Sequence, residues 1–206
     1  KDAKKLAQFL KAHVKYGDSD NIMYRIENGK IKPSKGLADS LASMLSDNQD
    51  FLMIDDQKLV YEVAIDLAHR AQREKRKVLI VEGGPGTGKS VVAVNLLVEL
   101  AKREMVVQYV SKNAAPRAVF AAKLTGTMTK TKINNMFKGS GSYIGAETNL
   151  FDVLIVDEAH RLNEKSGLYG NQGENQIKEI ISASKLAIFF LDENQRVTLS
   201  DIGSLE

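Results

Sequence analysis

The 206-residue sequence contains no cysteine, so disulfide bonds and thiolate metal sites are both excluded. It has no run approaching the roughly 18 consecutive apolar residues that a membrane-spanning helix needs. Residues 1–5 (KDAKK) do not lead into the apolar core of a signal peptide. A cytoplasmic protein without a membrane partner is therefore the default expectation.

A large excess of charge of one sign is also lacking. The 29 basic and 26 acidic side chains leave a formal charge of only +3, so no global field demands a nucleic-acid or membrane partner. Any basic binding site must therefore be local. With 43% hydrophobic residues, the chain can bury one substantial core and a small appendage.

A glycine-rich segment lies between two apolar runs. Residues 83–90 follow the run 78–81 and precede the run 91–97, a strand–loop–helix context that distinguishes them from a chance glycine-rich turn. The spacing predicts a phosphate-binding loop for a nucleoside triphosphate. Lys89 is expected to reach the β- and γ-phosphates, and Ser90 to bind Mg²⁺ through its hydroxyl. The predicted binding residues are Gly83, Gly84, Pro85, Gly86, Thr87, Gly88, Lys89 and Ser90.

Two carboxylates end another short apolar run, residues 151–158 (FDVLIVDE). Active sites of open α/β sheets lie where strands end. We expect Asp157 to hold Mg²⁺ through water and Glu158 to polarise the water that attacks the γ-phosphate. The alternative is that these acids only begin a helix, because acidic residues favour first turns.

Short apolar runs alternate with helical patterns from residue 51 onward, which predicts a parallel sheet flanked by helices. The predicted fold class is α/β, a P-loop NTPase with a mostly parallel sheet and a small N-terminal α/β element. Strands are predicted at about 78–82, 106–110, 152–157 and 186–191, and helices near 57–74, 89–103, 114–123 and 174–184. Their apolar runs are continuous, as expected for strands covered on both faces.

The domain prediction has three parts. Residues 1–50 form a small helical and hairpin element, and residues 51–204 form the ATPase lobe. Residues 205–206 are interpreted as a tag remnant, and the absence of an initiating Met indicates part of a longer protein.

A long insertion is predicted between residues 124 and 150. Its lysines, with Phe137 and Tyr143 interleaved, are candidates for backbone contacts and base stacking on a nucleic acid. The alternative is a mobile polar loop.

Three further segments resemble motifs of superfamily-one DNA/RNA helicases, in the chain order of that superfamily. They are residues 54–58 (IDDQK), 110–117 (VSKNAAPR) and 191–196 (LDENQR), with Leu191 where the superfamily has Gly. More narrowly, residues 59–202 resemble the bacterial relatives of the schlafen-type helicase domain. The resemblance implies ATP and Mg²⁺ as ligands and single-stranded DNA or RNA as a partner.

The same resemblance assigns roles to five further residues. Gln57 would read adenine, Gln195 would sense the γ-phosphate beside the catalytic residues Lys89 and Glu158, and the single strand would be gripped by Lys112, Asn113 and Arg117. Each role has a plainer alternative. Gln57 could be a polar residue in a first helical turn, and Gln195 could belong to a turn after a strand. The remaining three could form a solvated helix start.

The resemblance also implies a missing C-terminal RecA-like lobe in cis. Superfamily-one motors close two lobes on ATP, and the second lobe supplies arginines to the γ-phosphate. A first lobe alone is expected to bind ATP and hydrolyse it weakly, since an absent arginine finger is worth about 10³ to 10⁵ in turnover. The alternatives are a small-molecule kinase, an AAA-type remodelling ATPase and a nucleotide-gated binding switch.

Overall fold

The computed structural model describes residues 5, 43, 52–114, 118–119, 130–167, 170–195 and 202–203. The chain divides into two compact units, Lys1–Ile31 and Lys32–Glu206, and every element labelled below belongs to the second. The predicted N-terminal element lies outside the described residues, apart from Lys5 and Ser43. The boundary predicted at residues 50–51 stays a prediction.

Helices and strands alternate along the described chain. The α-helices are α1 (Asp55–Ala71), α2 (Lys89–Lys102), α3 (Lys130–Met136) and α4 (Gln176–Ala183). The strands are β1 (Lys77–Glu82), β2 (Val107–Ser111), β3 (Phe137–Lys138), β4 (Phe151–Asp157) and β5 (Ser184–Leu191). Short 3₁₀ helices span Ser140–Tyr143, Ala159–Arg161 and Glu193–Gln195.

All strand pairs are parallel, in the order β1-β5-β4-β2-β3. Helices cover both faces of the sheet, so the predicted α/β fold with a parallel sheet is confirmed and is consistent with a RecA-like P-loop domain. The four predicted strands are present with ends shifted by two residues or fewer. Because the strands are parallel, the loops that follow β1, β2, β4 and β5 all leave the carboxyl edge of the sheet. The candidate functional site lies at this edge.

Alternating side chains divide the core into two layers. Tyr109 and Ile155 face α1 and α2, whose buried residues form the larger apolar cluster. Val110 and Val156 face α4 and the 3₁₀ helices on the opposite side. Coverage of both faces explains why β2 and β4 read as continuous apolar runs rather than alternating ones.

The predicted insertion contains structure that the sequence did not indicate. Helix α3 leads into β3, which pairs with β2 through Tyr109–Phe137 and Val110–Lys138. Phe137 and Tyr143 are both buried in the core, so the suggested base stacking by these two rings is wrong. Helix α3 has seven residues and β3 only two, too few for hydrophobic periodicity to reveal. Most of the predicted helix 114–123 lies outside the described residues.

Candidate functional site

The glycine-rich loop joins β1 to α2 at the carboxyl edge of the sheet. The N–H of Gly83 donates to the carbonyl of Leu191 (3.2 Å), which connects the loop to the end of β5. Gly86 and Gly88 have φ values of 75° and 80°, a region open to glycine at little cost. The first N–H groups of α2 have no carbonyl partner within the helix and carry the positive end of its dipole. The loop therefore places main-chain donors where an anion is stabilised.

Lys89 folds back over this loop. Its ammonium donates to the carbonyls of Gly83 (2.6 Å) and Gly84 (2.8 Å). The same Nζ lies 3.8 Å from Oδ2 of Asp192, a carboxylate only 2% exposed at the end of β5. Asp192 Oδ2 makes no hydrogen bond within the described residues. A positive charge is thus held inside the loop, beside a buried acid.

Gln57 connects α1 to the loop across 30 residues of sequence. Its Nε2 donates to the carbonyl of Thr87 (2.9 Å), and its Oε1 accepts from the N–H of Ile54 (3.0 Å). The amide therefore supports the main chain of the loop. Its predicted contact with adenine stays a prediction.

Replacing Gly88 by Ala tests this packing. A Cβ at Gly88 would lie 2.2 Å from Gln57 Nε2, and the φ of 80° is costly for any residue with a Cβ. We expect Gly88→Ala to lower the free energy of unfolding by about 1–2 kcal/mol or more, measured by urea denaturation. Gly84→Ala is the matched control, since a Cβ there meets nothing within 4 Å; its effect should stay within about 0.5 kcal/mol. Equal losses in both variants would contradict the packing argument.

Ser90 and Asp157 come together from α2 and β4. Ser90 Oγ donates to Asp157 Oδ2 (2.7 Å), and Asp157 Oδ1 accepts from the N–H of Glu158 (3.0 Å). Asp157 is 2% exposed. The hydroxyl of Tyr109, from β2, also donates to Asp157 Oδ2. The loop and the acid pair, 67 residues apart in sequence, thus form one constellation.

Tyr109 belongs to the site although the sequence analysis did not select it. Burial raises the pKa of its hydroxyl well above the ordinary value, and the carboxylates of Asp157 and Glu158 raise it further. The phenol therefore stays protonated and acts as a donor. In the sequence it is one aromatic residue in the apolar run of β2, which is typical of a core residue.

Glu158 follows the last residue of β4 with φ 56° and ψ 42°, an uncommon conformation for a residue with a Cβ. Its side chain is 26% exposed, and Oε2 lies 3.2 Å from His160 Nε2 and 3.6 Å from Arg161 Nε. The backbone turn moves Glu158 out of the sheet while Asp157 stays buried. The two acids therefore have different surroundings, one enclosed and one within reach of solvent.

His160 is a second residue that the sequence analysis did not select. Its ring is fully buried, and Nδ1 accepts from the backbone N–H of Asp192 (3.2 Å). Burial lowers the pKa of His160, although Glu158 opposes this shift. The neutral ring must then carry its proton on Nε2, on the side of Glu158. His160 thus connects the ends of β4 and β5.

The other predicted residues lie around the same edge. Gln195 ends the 3₁₀ helix after β5, and its N–H donates to the carbonyl of Asp192 (3.0 Å). Lys112, directly after β2, donates to Oδ1 of Asn163 (2.8 Å). Asn113 is exposed, and Arg117 lies outside the described residues.

A magnesium ion fits the donor types at this edge. Mg²⁺ prefers oxygen ligands and is commonly held by one or two carboxylates together with substrate phosphates and water. Ser90 and Asp157 offer such oxygens 2.7 Å apart. Ser111, the register partner of Asp157, has a buried hydroxyl with no hydrogen-bond partner in the described part of the chain. The described residues contain no group of three or more His, Asp or Glu side chains that could hold a metal ion without other ligands.

A parallel α/β sheet with a glycine-rich loop ahead of α2 and an acid pair at the end of β4 is the arrangement of a RecA-like P-loop domain. Residues 76–206 match the family model described as Schlafen group 3, DNA/RNA helicase domain. The match covers more than half of the chain, so the chain belongs to this family. The schlafen-type prediction is confirmed; its superfamily-one and bacterial details stay predictions.

No curated protein matches the chain. Among the described residues, no helix has both the length and the apolar character needed to cross a bilayer.

Proposed function

We propose that this chain is the ATP-binding and ATP-hydrolysing lobe of a DNA/RNA helicase or translocase. The observation that carries the proposal is the hydrogen bond of 2.7 Å between Ser90 of the glycine-rich loop and Asp157 at the end of β4. Phosphoryl transfer requires a phosphate cradle and a magnesium-holding acid at one place. Membership of a helicase-domain family supports the nucleic-acid part of the proposal.

Each residue has a part in the proposed reaction. The loop N–H groups bind the triphosphate tail, and Lys89 exchanges its contacts with the carbonyls of Gly83 and Gly84 for phosphate oxygens. Ser90 and Asp157 would hold a magnesium ion, which would supply neutralisation of the charge that develops on the phosphates. Gln195, on the 3₁₀ helix after β5, senses the γ-phosphate.

Glu158 is the proposed general base. Its carboxylate lies beside Nε2 of His160 and Nε of Arg161, which orient it without enclosing it. A carboxylate so placed accepts a proton from the attacking water. Asp157 is unsuited to that step because two hydroxyls and a backbone N–H already donate to it.

Full turnover in this proposal depends on arginines from a second RecA-like lobe in cis. Arg161 is paired with Glu158 and is therefore engaged with the base rather than with the phosphates. An arginine finger of this kind is worth about 10³ to 10⁵ in rate. Without that contact, hydrolysis should be slow while ATP binding is retained.

The direct test is calorimetric titration of the protein with ATP in the presence and absence of Mg²⁺. We expect saturable binding that Mg²⁺ strengthens, with GTP as the comparison that tests the proposed contact of Gln57 with adenine. A protein that binds no Mg-nucleotide is not a P-loop ATPase, and the proposal then fails.

The nucleic-acid part has its own prediction. Lys112→Ala should weaken binding of a labelled single-stranded oligonucleotide and reduce the slope of log K against log salt by about 0.7, the value for one lost phosphate contact on a single strand. Fluorescence anisotropy at several salt concentrations measures both. The control is Lys178→Ala, which removes an equal charge from an exposed position on α4. Equal effects of the two variants would mean that only net charge matters.

A further inference from the structure

Tyr109 lies directly below the acid at the end of β4. In the parallel register of β2 and β4, Tyr109 pairs with Ile155 and Ser111 pairs with Asp157. Side chains alternate along a strand, so Tyr109 and Asp157 face the same layer, two residues apart along the strands. The tyrosine ring is fully buried and packs against Phe137 at a centroid distance of 5.6 Å. The ring is therefore fixed in the core with its hydroxyl at the site.

The hydroxyl of Tyr109 and that of Ser90 donate to the same oxygen, Asp157 Oδ2. The other oxygen, Oδ1, accepts from the N–H of Glu158. Ser90 is itself a candidate ligand of the cation, whereas Tyr109 is anchored by the core. Of the two hydroxyls on Oδ2, only that of Tyr109 is therefore independent of the loop.

We propose that Tyr109 is a positioning residue of the magnesium site, which orients the carboxylate of Asp157 through a hydrogen bond to Oδ2. The inference rests on the proposed function and adds a residue to it. A carboxylate that holds a metal ion, directly or through water, keeps its orientation when it is itself hydrogen-bonded, and loss of such an outer partner typically weakens metal binding by about 10- to 100-fold. Tyr109→Phe removes the donor and keeps the ring, so the core packing is retained.

The experiment measures the Mg²⁺ concentration that half-saturates the binding of a fluorescent ATP analogue, monitored by anisotropy. We expect Tyr109→Phe to raise this concentration by about 10- to 100-fold while leaving the affinity for the analogue in EDTA unchanged. The readout is metal-dependent binding, so it does not require turnover.

Tyr143→Phe is the matched control. Tyr143 is also buried, and its hydroxyl donates to Gln108 Oε1 (2.9 Å) away from the acid pair. Both variants lose one hydrogen bond of a buried tyrosine, so each should lower thermal stability, and Tyr109→Phe should lower it more because its acceptor is a carboxylate. Only Tyr109→Phe should shift the Mg²⁺ dependence.

Two results would overturn the inference. If the wild-type protein binds the analogue and Tyr109→Phe has the same Mg²⁺ half-saturation, Tyr109 is merely a core residue and the proposed function stands without it. If the wild-type protein binds no Mg-nucleotide at all, the proposed function fails and the role of Tyr109 fails with it.

Discussion

Lys89→Ala is expected to abolish measurable binding of Mg-ATP at micromolar concentrations. Hydrogen bonds that involve a charged group contribute about 1.5–3 kcal/mol each. In the proposed complex Lys89 contacts two phosphate groups, so its loss should weaken binding by at least about 100-fold, since each 1.4 kcal/mol is about tenfold in Kd. Isothermal titration calorimetry of both proteins measures the difference.

The geometry of Lys89 supports this magnitude. Its ammonium is only partly accessible and is held in the loop by hydrogen bonds to two main-chain carbonyls. Alanine at this position also removes the ammonium that lies 3.8 Å from the buried carboxylate of Asp192. A thermal unfolding curve is therefore recorded beside the titration, to separate lost binding from lost folding.

The control for Lys89→Ala is Lys102→Ala, an exposed lysine in the last turn of the same helix. It removes the same charge from α2 far from the loop, and ATP affinity should be unchanged. A folded Lys89→Ala protein with the affinity of the wild type would remove the glycine-rich loop from nucleotide binding.

The features that sequence patterns predicted are those encoded in consecutive residues. A phosphate-binding loop is a short run in which glycines and a lysine have fixed spacing, so residues 83–90 indicate it without any knowledge of contacts. Continuous apolar runs likewise predicted four strands of the parallel sheet. Strands β2, β4 and β5 are covered on both faces and need few polar residues within them, whereas β1 leaves Val78 and Ile80 exposed on one face.

The features that were missed depend on contacts between distant residues. Tyr109 and Asp157 are 48 residues apart, and only the register of β2 against β4 brings the hydroxyl to the carboxylate. Gln57 was selected for adenine, yet its contact with the loop carbonyl of Thr87 is a consequence of how α1 packs. Neither contact has a local signature.

His160 combines a feature that the local sequence shows with a contact that it does not show. It is the second residue after the acid pair in sequence, so the chain order alone places it close to Glu158. Its hydrogen bond to the N–H of Asp192 was not, because that bond spans 32 residues and requires the adjacency of β4 and β5. A histidine beside a strand-end acid pair is therefore worth selecting as a candidate before its partners are known.

The second large effect concerns catalysis rather than binding. Glu158→Gln should lower the rate of ATP hydrolysis by about 10² to 10⁴, the usual contribution of a general base. The amide has nearly the same shape as the carboxylate but cannot accept a proton from water at neutral pH. Single-turnover hydrolysis of labelled ATP, with protein in excess, measures the chemical step even when the rate is slow.

Unlike hydrolysis, the binding of Mg-ATP should be unaffected by Glu158→Gln. This result distinguishes the role of Glu158 from that of Lys89. Ser90 and Asp157, the residues proposed to hold Mg²⁺, are unaltered in Glu158→Gln, so the affinity for Mg-ATP should be retained and the bound nucleotide should persist. Glu164→Gln, the same change at an exposed position six residues further on, controls for the loss of one negative charge. If Glu158→Gln hydrolyses ATP at the wild-type rate, the proton must pass to another group. Asp192 is then the next candidate, because its Oδ2 lies 3.8 Å from Lys89 Nζ and makes no hydrogen bond within the described residues.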